Sequence, residues 1–357
     1  MGQTARTRTR RRIIIGGTAA TFAGFHTTSH AVSPRLSADK VLALNGYQEP
    51  SGAITLTLGG STVDPYFAMK ALLSAQQLGM NIDQATCSFV NWLKPFQRSD
   101  GSFDRFCRSG TGWIACQRAD ADDSTTALWM QLLCTVNTCQ PGQSGGAPSN
   151  SFTRAQRLLE SLRTRRGTYS ISAELPVQLL MDNAEVYESL ATCSRHFAQG
   201  GNSAQAALAR RLRTQAEQLD IAVKREFWNS SSGQYRITSQ ARSESSFYPD
   251  AVAQLYPLLS SMPSQAGPMR GKSWLQHWYA THQAAWFSGT ADNYPWGLMA
   301  MAMAVEPRQK LQGLHNIGAT NESDPIERWL AMATPLRHSQ QRWNVLEEAI
   351  WFSLRNI

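Results

Sequence analysis

A Gly-x-aromatic step occurs three times in this chain at a constant interval. The copies are at residues 101–103, 167–169 and 233–235, so that successive copies lie 66 residues apart. A fixed internal period indicates that one supersecondary unit is used repeatedly, which restricts the fold more than any local pattern does. The unit here contains a short glycine–aromatic hairpin, an acidic loop, and two helices that run out and back.

Apolar residues recur at helical intervals along most of the chain, and alternating strand patterns are nearly absent outside the hairpin steps. The first helix of a pair is apolar nearly all round, as at 126–133 and 296–304, whereas the second is amphipathic, as at 207–226. An apolar helix is buried and an amphipathic helix has one wet face. About six such pairs predict an all-α fold, an (α/α)₆ barrel with short β-hairpins on one rim. A helix over 37–46 is expected to pair with the last helix and close the ring, and a linear helical solenoid is the structural alternative.

The first 31 residues are typical of an export signal. Three arginines at 10–12 precede a short apolar stretch at 13–25, and small residues follow at 29–31. The Thr-Arg-Arg-x-Ile-Ile run resembles a bacterial twin-arginine signal, with an ordinary secretory signal as the alternative. The sequence therefore predicts a periplasmic or secreted protein. Residues 32–357 are expected to form a single (α/α)₆ catalytic domain with no stable membrane insertion once the signal is removed.

The basic character of the chain belongs largely to this leader. The leader carries five arginines and no acidic residue, so its removal lowers the formal net charge from +8 to +3. A mature chain of that charge, with no long basic run, has no electrostatic footprint for nucleic acid. The sequence indicates no cofactor.

Six cysteines in an exported protein are compatible with disulfide bonds. Cys107 and Cys116 flank a glycine-containing loop, and Cys134 and Cys139 close a helix end, so these are the two expected local bridges. The remaining two cysteines fall in apolar helical stretches and are expected to be buried thiols. No Cys-x-x-Cys pair or Cys/His cluster suggests a metal site.

Acidic residues stand at the predicted starts of the inner helices. In an α/α ring these starts lie at the same end, so their carboxyl groups are expected to converge on one funnel. Helix capping explains any one of them, because Asp is a preferred N-cap and suits the helix dipole. Carboxyl groups that lie close together raise each other's pKa, so that one can be a general acid while another stays ionised. The catalytic candidates are Asp122 or Asp123 together with Asp182 or Asp250.

Aromatic residues accompany almost every acidic loop. Aromatic faces stack on sugar rings, and carboxylates accept hydrogen bonds from sugar hydroxyl groups. This combination predicts a carbohydrate-binding cleft, in which Glu185 and Asp292 hold sugar hydroxyl groups. The residues expected to bind substrate are Asp64, Trp113, Asp120, Glu185, Tyr187, Tyr248, Asp292, Tyr294 and Trp296.

Four motifs carry a family resemblance, at residues 120–128, 182–187, 246–255 and 292–296. At these motifs the chain resembles the six-hairpin glycosidase superfamily, whose (α/α)₆ barrels bind glycans across the N-terminal ends of the inner helices. The resemblance implies a glycoside hydrolase that cleaves a bacterial poly- or oligosaccharide by carboxylate general acid/base catalysis. The bacterial cellulases of that superfamily also carry a Ser-Glu-Gly motif, and the nearest stretch here, at 62–66, lacks the glutamate.

Three other functions are compatible with these motifs. Residues 120–123 match the Asp-x-Asp-Asp motif of protonating terpene cyclases, in which Asp122 would be the proton donor, and residues 92–103 resemble one copy of their glutamine–aromatic repeat. A polysaccharide lyase would use a tyrosine base such as Tyr187 or Tyr248 on a uronic acid. A non-catalytic glycan-binding or exopolysaccharide assembly protein would keep the barrel without the chemistry.

Overall fold

Helices form most of this protein. The computed structural model describes residues 40–135, 148–240, 246–263, 272–289, 292, 294–305 and 324–357. The helices in this part of the chain are α1 (Pro65–Gln77), α2 (Asp83–Leu93), α3 (Asp122–Thr135), α4 (Asn150–Ser161), α5 (Leu180–Ala198), α6 (Ser203–Phe227), α7 (Tyr256–Leu259), α8 (Lys272–Ser288), α9 (Gly297–Val305), α10 (Pro325–Ala333) and α11 (Val345–Arg355). None of them is both long and apolar enough to cross a membrane.

Six of these helices form a closed inner ring. Around it, α1 packs against α3, α3 against α5, α5 against α7, α7 against α9, α9 against α11, and α11 against α1. Helices α2, α4 and α6 pack against α1, α3 and α5 respectively, and α10 packs against α9 and α11. The apolar α9 is buried at every position from Gly297 to Met303, as an inner helix must be. The predicted (α/α)₆ barrel is confirmed.

Two local predictions are wrong, both at helix-breaking residues. Of the helix expected over 37–46, residues 37–39 lie outside the described part of the chain, and residues 40–46 are not helical: Val41 forms a β-bridge with Asn81, and Gly46, in a turn, has a φ of +79°. Helical periodicity over 247–260 predicts one continuous helix, but the structure has a single π-helical turn, Phe247–Ala251, and α7 begins only at Tyr256. Its second residue, Tyr248, has extended backbone angles because the following proline disfavours helical geometry there.

The Gly-x-aromatic steps form turns and small hairpins on the rim. Their glycines have φ values of +101°, +87° and +66°, which L side chains rarely adopt, and the aromatic residue of each copy is buried. The first copy leads into an antiparallel sheet of β1 (Thr62–Val63), β2 (Asp104–Ser109) and β3 (Gly112–Arg118). A disulfide between Cys107 and Cys116 joins β2 to β3, as predicted. The third copy forms the hairpin of β4 (Trp228–Asn229) and β5 (Gln234–Tyr235).

Side-chain amides attach two of these steps to the following inner helix. Asn183 accepts the Tyr169 N–H at 2.7 Å and donates to the Tyr169 carbonyl at 3.0 Å. Gln254 does the same at Tyr235, with both bonds at 2.9 Å. Each amide satisfies both backbone groups of a buried residue, which otherwise cost free energy if left unpaired. The aromatic step is therefore held against the helix that follows it.

The residue two positions after the aromatic holds the preceding inner helix. The Ile171 carbonyl accepts the backbone N–H of Asp122 at 2.8 Å, at the start of α3. The Ile237 carbonyl accepts the backbone N–H of Leu180 at 2.9 Å, at the start of α5. The first N–H groups of a helix have no partner within the helix, so these bonds satisfy them and fix where each helix begins.

The other cysteines differ from expectation in two cases. Cys134 is a buried free thiol that interacts with the thiol of Cys193, so the predicted bridge from Cys134 to Cys139 is wrong. Cys139 itself lies outside the described residues. Cys87, expected as a buried thiol, is disulfide-bonded, whereas Cys193 is a buried free thiol as expected. Cys134 lies on the inner helix α3, where its side chain meets α5 in the core.

Replacing Gly101 by alanine should destabilise the fold more than the same change at Gly233. An added Cβ at Gly101 would lie 2.5 Å from the Arg154 carbonyl oxygen, whereas at Gly233 no atom lies within 4 Å. Both substitutions carry the backbone cost of positive φ, about 1 kcal/mol, and overpacking adds about 1–3 kcal/mol at Gly101 alone. Urea midpoints of the two variants measure the difference. Equal midpoints would contradict this account of the repeat.

Candidate functional site

The N-terminal ends of the inner helices meet at one end of the ring. The Tyr66 hydroxyl, in the first turn of α1, donates to Glu185 of α5 at 3.0 Å. Tyr248, before α7, stacks on Trp296, before α9, with ring centroids 4.5 Å apart. The N–H of Gly297, at the start of α9, donates to Glu347 of α11. These contacts join the starts of α1 and α5, and those of α7, α9 and α11. The charges of Asp182 and Glu185 reach Tyr248 and so connect the two groups into one surface, which we call the funnel floor.

Three carboxyl groups are buried in the funnel floor between α3 and α5. Asp123 is 0 % exposed, Glu185 is 1 % exposed and Asp182 is 7 % exposed. Asp123 Oδ2, Asp182 Oδ2 and Glu185 Oε2 accept no hydrogen bond from any described residue. A buried carboxyl oxygen without a partner carries a desolvation cost, which hydrogen bonds from a ligand would offset.

Glu185 is the carboxylate whose charge is compensated. Its Oε1 lies 2.8 Å from Lys70 Nζ and accepts the Tyr66 hydroxyl at 3.0 Å. Lys70 lies one turn after Tyr66 in α1, and its ammonium is also 5.1 Å from the Tyr256 ring centroid. The side chains of Lys70 and Glu185 are only 12 % and 1 % exposed, so this ion pair is a buried one. It leaves Glu185 Oε2 without a hydrogen-bond partner among the described residues.

Burial makes the neighbouring aspartates weak acids. It raises the pKa of Asp123 from 3.8 to about 8, and the charges of Glu185 and Asp122 add to the effect. Burial also raises the pKa of Asp182 well above its ordinary value, with Asp123 and Glu185 adding to it and Lys70 opposing it. Two interacting carboxyl groups of this kind share their protons. At neutral pH the funnel floor therefore contains at least one protonated aspartate beside a carboxylate.

An aromatic wall borders these acids. Tyr248 is 45 % exposed, and burial raises its pKa, with the nearby carboxylates of Asp182, Glu185 and Asp292 adding to the effect. One face of its ring is covered by Trp296 at an interplanar angle of 20°, and Tyr294 contacts Trp296 edge-on at 4.9 Å. The structure thus brings three of the predicted aromatic residues together, and Tyr248 among them lies within reach of the charges of Asp182 and Glu185.

A charged rim lies beside the acidic cluster. Arg105 donates to Asp64 at 2.6 Å and to Asp120 at 2.6 Å, and so joins the start of α1 to the start of α3. Asp64 is buried and also accepts the Tyr66 N–H at 3.0 Å as an N-cap, whereas the Asp120 side chain is 72 % exposed. Arg118 lies 3.7 Å from Asp122. These three acids have basic partners, which distinguishes them from Asp123 and Asp182.

Four predicted site residues have other surroundings in the structure. Asp250 accepts the Ser246 N–H at 2.9 Å, and Asp292 accepts the Tyr294 N–H at 2.9 Å, so both stabilise local backbone turns. Trp113 lies on β3, where it stacks edge-on against Trp92 and carries the Arg108 guanidinium over its ring, 4.4 Å from the centroid. Tyr187 lies beside acidic residues of α6 on the outer side of α5.

Four residues that contact the acids or the aromatic wall were not predicted from the sequence. Tyr66, Lys70 and Tyr256 surround Glu185, and Glu347 holds the segment that carries Trp296. A lysine within the buried face of an inner helix was a detectable signal for Lys70, because lysine is almost never buried without a partner. The others are ordinary residues of amphipathic or apolar helices and gave no such signal.

Glu347 lies on the opposite side of the ring from Glu185. It is 1 % exposed, and its two carboxyl oxygens lie 3.1 Å and 2.9 Å from the Gly297 N–H donor nitrogen. Burial raises its pKa from 4.5 to about 8, an effect that the Gly297 N–H opposes. The described residues contain no group of three or more His, Cys, Asp or Glu side chains placed to hold a metal ion.

Comparison with solved structures supports the fold. The structure is similar to an alpha-amylase from Clostridium perfringens, with a TM-score of 0.52 and 10 % identity over 87 % of this chain and 94 % of that one. It is also similar to D-mannose isomerase, with a TM-score of 0.57 and 11 % identity over 88 % of this chain and 94 % of that one. Comparisons with protein-family models and with curated proteins found no match. The chain therefore shares a glycosidase-like (α/α)₆ fold with these enzymes.

Replacing Lys70 by methionine should destabilise the protein by about 3 kcal/mol, because it leaves the buried Glu185 carboxylate without its cation. A matched control is Arg166→Met, since Arg166 and Glu226 also form an ion pair of 2.8 Å but the arginine side chain is 75 % exposed. An exposed pair contributes about 1 kcal/mol or less. Chemical denaturation of both variants measures the two losses. Similar losses would show that Lys70 does not compensate a buried charge.

The free energy of unfolding should decrease as the pH rises between about 4 and 8, because Asp123 loses the proton that it binds more tightly in the folded state. Its pKa is higher in the folded protein than in the unfolded chain, so the folded state binds the additional proton in this range. The stabilisation is complete at low pH and is lost as the pH rises through the folded value. Asp123→Asn should flatten this decline, as measured by urea midpoints from pH 4 to 8. A variant whose midpoints fall with pH as steeply as those of the wild type would contradict the raised pKa.

Proposed function

We propose that this protein is an exported glycoside hydrolase that cleaves a poly- or oligosaccharide at the funnel floor. One observation carries the proposal: Asp123, Asp182 and Glu185 are buried together, and each has a carboxyl oxygen without a partner among the described residues. Glycoside hydrolysis needs two carboxyl groups of different protonation state at one glycosidic bond. The cluster supplies such a combination.

The general acid is Asp123, or Asp182 as its coupled neighbour. A general acid must carry a proton at the working pH, and the pKa of Asp123, about 8, meets this requirement near neutrality. The acid donates this proton to the glycosidic oxygen as the bond to the anomeric carbon breaks. Because Asp182 and Asp123 influence each other's titration, the acidic proton belongs to the pair rather than to one residue.

Glu185 is best suited to act as the carboxylate partner. Lys70 and Tyr66 engage its Oε1 and fix the orientation of the group, and its Oε2 is left as the acceptor. In this position it removes a proton from the attacking water or attacks the anomeric carbon itself. This role differs from the sequence-based expectation, in which Glu185 held sugar hydroxyl groups.

The export part of the proposal rests on the leader sequence and on the cysteines. The Cys107–Cys116 disulfide and the disulfide-bonded Cys87 are typical of proteins that fold in an oxidising compartment. The mature chain would then meet its glycan in the periplasm or outside the cell. A carbohydrate substrate also agrees with the aromatic wall beside the acids.

Replacing each of the three carboxyl groups by its amide should sharply reduce turnover. Asp123→Asn, Asp182→Asn and Glu185→Gln should each lower kcat about 100-fold or more, because each removes a proton donor or acceptor. Release of reducing ends from a panel of neutral and acidic polysaccharides, measured with purified mature protein, provides the assay. The wild-type rate should also fall as the pH rises above about 8, where Asp123 loses its proton.

Asp220→Asn is the matched control, because Asp220 is 8 % exposed, close to the 7 % of Asp182, but lies on the outer helix α6. It should retain most of the activity. A protein that binds one polysaccharide tightly and releases no reducing ends would be a glycan-binding protein, and the hydrolase proposal would be wrong. Release of an unsaturated uronate product would instead indicate a lyase.

A further inference from the structure

Trp296 has a backbone conformation that bulky residues rarely adopt. Its φ is +51°, in the left-handed region that favours glycine. Such a conformation costs about 1–3 kcal/mol and persists only where the surrounding structure holds it in place. The residue lies at the start of α9, beside the acidic cluster, so the contacts that hold it there bear on the site.

Four side-chain contacts hold the segment on both sides of Trp296. The carbonyl oxygen of Pro295 accepts two indole N–H groups, from Trp286 at 2.9 Å and from Trp329 at 2.8 Å. The N–H of Gly297 donates to both carboxyl oxygens of Glu347, at 3.1 Å and 2.9 Å. The peptide groups before and after Trp296 are therefore fixed, and its backbone cannot relax without breaking these bonds.

The fixed backbone aims the Trp296 ring at Tyr248. The two rings are stacked with centroids 4.5 Å apart, so one face of Tyr248 is occupied by Trp296. Tyr248 is nevertheless 45 % exposed, and the charges of Asp182 and Glu185 reach its hydroxyl. An exposed aromatic ring with a rigid support behind it, next to acids with unpartnered oxygens, is suited to stack against a ring-shaped ligand.

We propose that the exposed face of Tyr248 is a stacking platform for a neutral sugar ring, and that Glu347 is a positioning residue that fixes this platform through Trp296. The proposal deepens the proposed function, since the sugar on the platform would be the one presented to Asp123, Asp182 and Glu185. A uronate would place its negative charge beside the Glu185 carboxylate, whose cation is already engaged. The charges around the platform therefore favour a neutral sugar.

Glu347 holds the segment around Trp296, through the Gly297 N–H and the Tyr294 side chain, and is not a catalytic residue. Both of its oxygens face the Gly297 N–H, and a Cβ added at Gly297 would lie 2.6 Å from Oε2, so no space separates the two groups. Glutamine has the same shape and keeps one oxygen acceptor for that N–H. Alanine keeps none, and leaves the Gly297 N–H buried without a partner.

The platform is tested by binding of neutral hexasaccharides of glucose, mannose and xylose, with a hexagalacturonate as the charged control. Calorimetry in an Asp123→Asn background measures affinity without turnover. Tyr248→Ala should weaken binding of the recognised neutral probe about tenfold, whereas Tyr248→Phe, which keeps the ring face, should stay within about threefold. Because Tyr248 is exposed, neither variant should lower the melting temperature appreciably.

The positioning role is tested by Glu347→Ala and Glu347→Gln in the same background. Glu347→Ala should weaken binding about as much as Tyr248→Ala, and Glu347→Gln should restore the affinity. Because Glu347 acts through Tyr248, Glu347→Ala should cause no further loss in a Tyr248→Ala protein. In the active enzyme, Tyr248→Ala should raise KM more than it lowers kcat.

The outcomes separate this inference from the proposed function. Binding that depends on Tyr248 and Glu347 without any release of reducing ends would refute the hydrolase and leave the platform standing. Turnover with a KM unaffected by Tyr248→Ala would support the hydrolase and refute the platform. The inference is also overturned if no neutral probe binds, if the galacturonate binds more tightly, or if Glu347→Gln loses as much affinity as Glu347→Ala. Should Glu347→Ala fail to fold, the Tyr248 variants and Glu347→Gln still decide it.

Discussion

The buried ion pair of Lys70 and Glu185 is the interaction on which the funnel floor depends. It joins α1 to α5, which are not neighbours in the ring, and Asp123 of α3 lies between them near the same carboxylate. A buried ion pair is retained only where the geometry offsets its desolvation cost. At the adjacent aspartates burial and the neighbouring carboxyl groups raise the pKa, and at Asp182 they outweigh the opposing charge of Lys70. One cation among three acids thereby produces an acid and a base side by side.

The hairpin repeat determines where these acids stand. The carbonyl of Ile171 fixes the first turn of α3 and that of Ile237 fixes the first turn of α5, so each inner helix is registered by the hairpin of the next unit. In the first unit the equivalent residue, two positions after the aromatic, is Arg105. Its side chain binds Asp64 and so fixes the start of α1. The 66-residue period describes this scaffold. The acids follow it less regularly, because they lie on loops and first turns whose lengths differ.

The fold was predictable because periodicity records which helix faces are buried, and two aspartates of the acidic cluster were predictable because they open inner helices. The partners of Glu185 were not, because Tyr66 and Lys70 reach it across the ring and no pattern in a single sequence reports contacts of that range. Tyr187 was assigned to the cleft by its proximity to Asp182 along the chain. Tyr187 follows Asp182 by five residues, which turn an α-helix through about 500°, that is, well beyond one full turn. The two side chains therefore lie on different faces of α5, and that of Tyr187 points to α6.

Helix capping is the simplest explanation for an aspartate at a helix start. In the structure capping explains some of these aspartates and not others. Asp64 accepts the N–H group two residues later as the N-cap of α1, and Asp292 makes the same bond in a turn before α9. Asp123 and Asp182 each keep a buried oxygen that no described donor reaches, and a cap would not leave that cost unmet. The strained backbone of Trp296 lies against the same surface. Unmet polar groups and strain at the end of the ring where the chain is otherwise most tightly held indicate a surface adapted to a ligand.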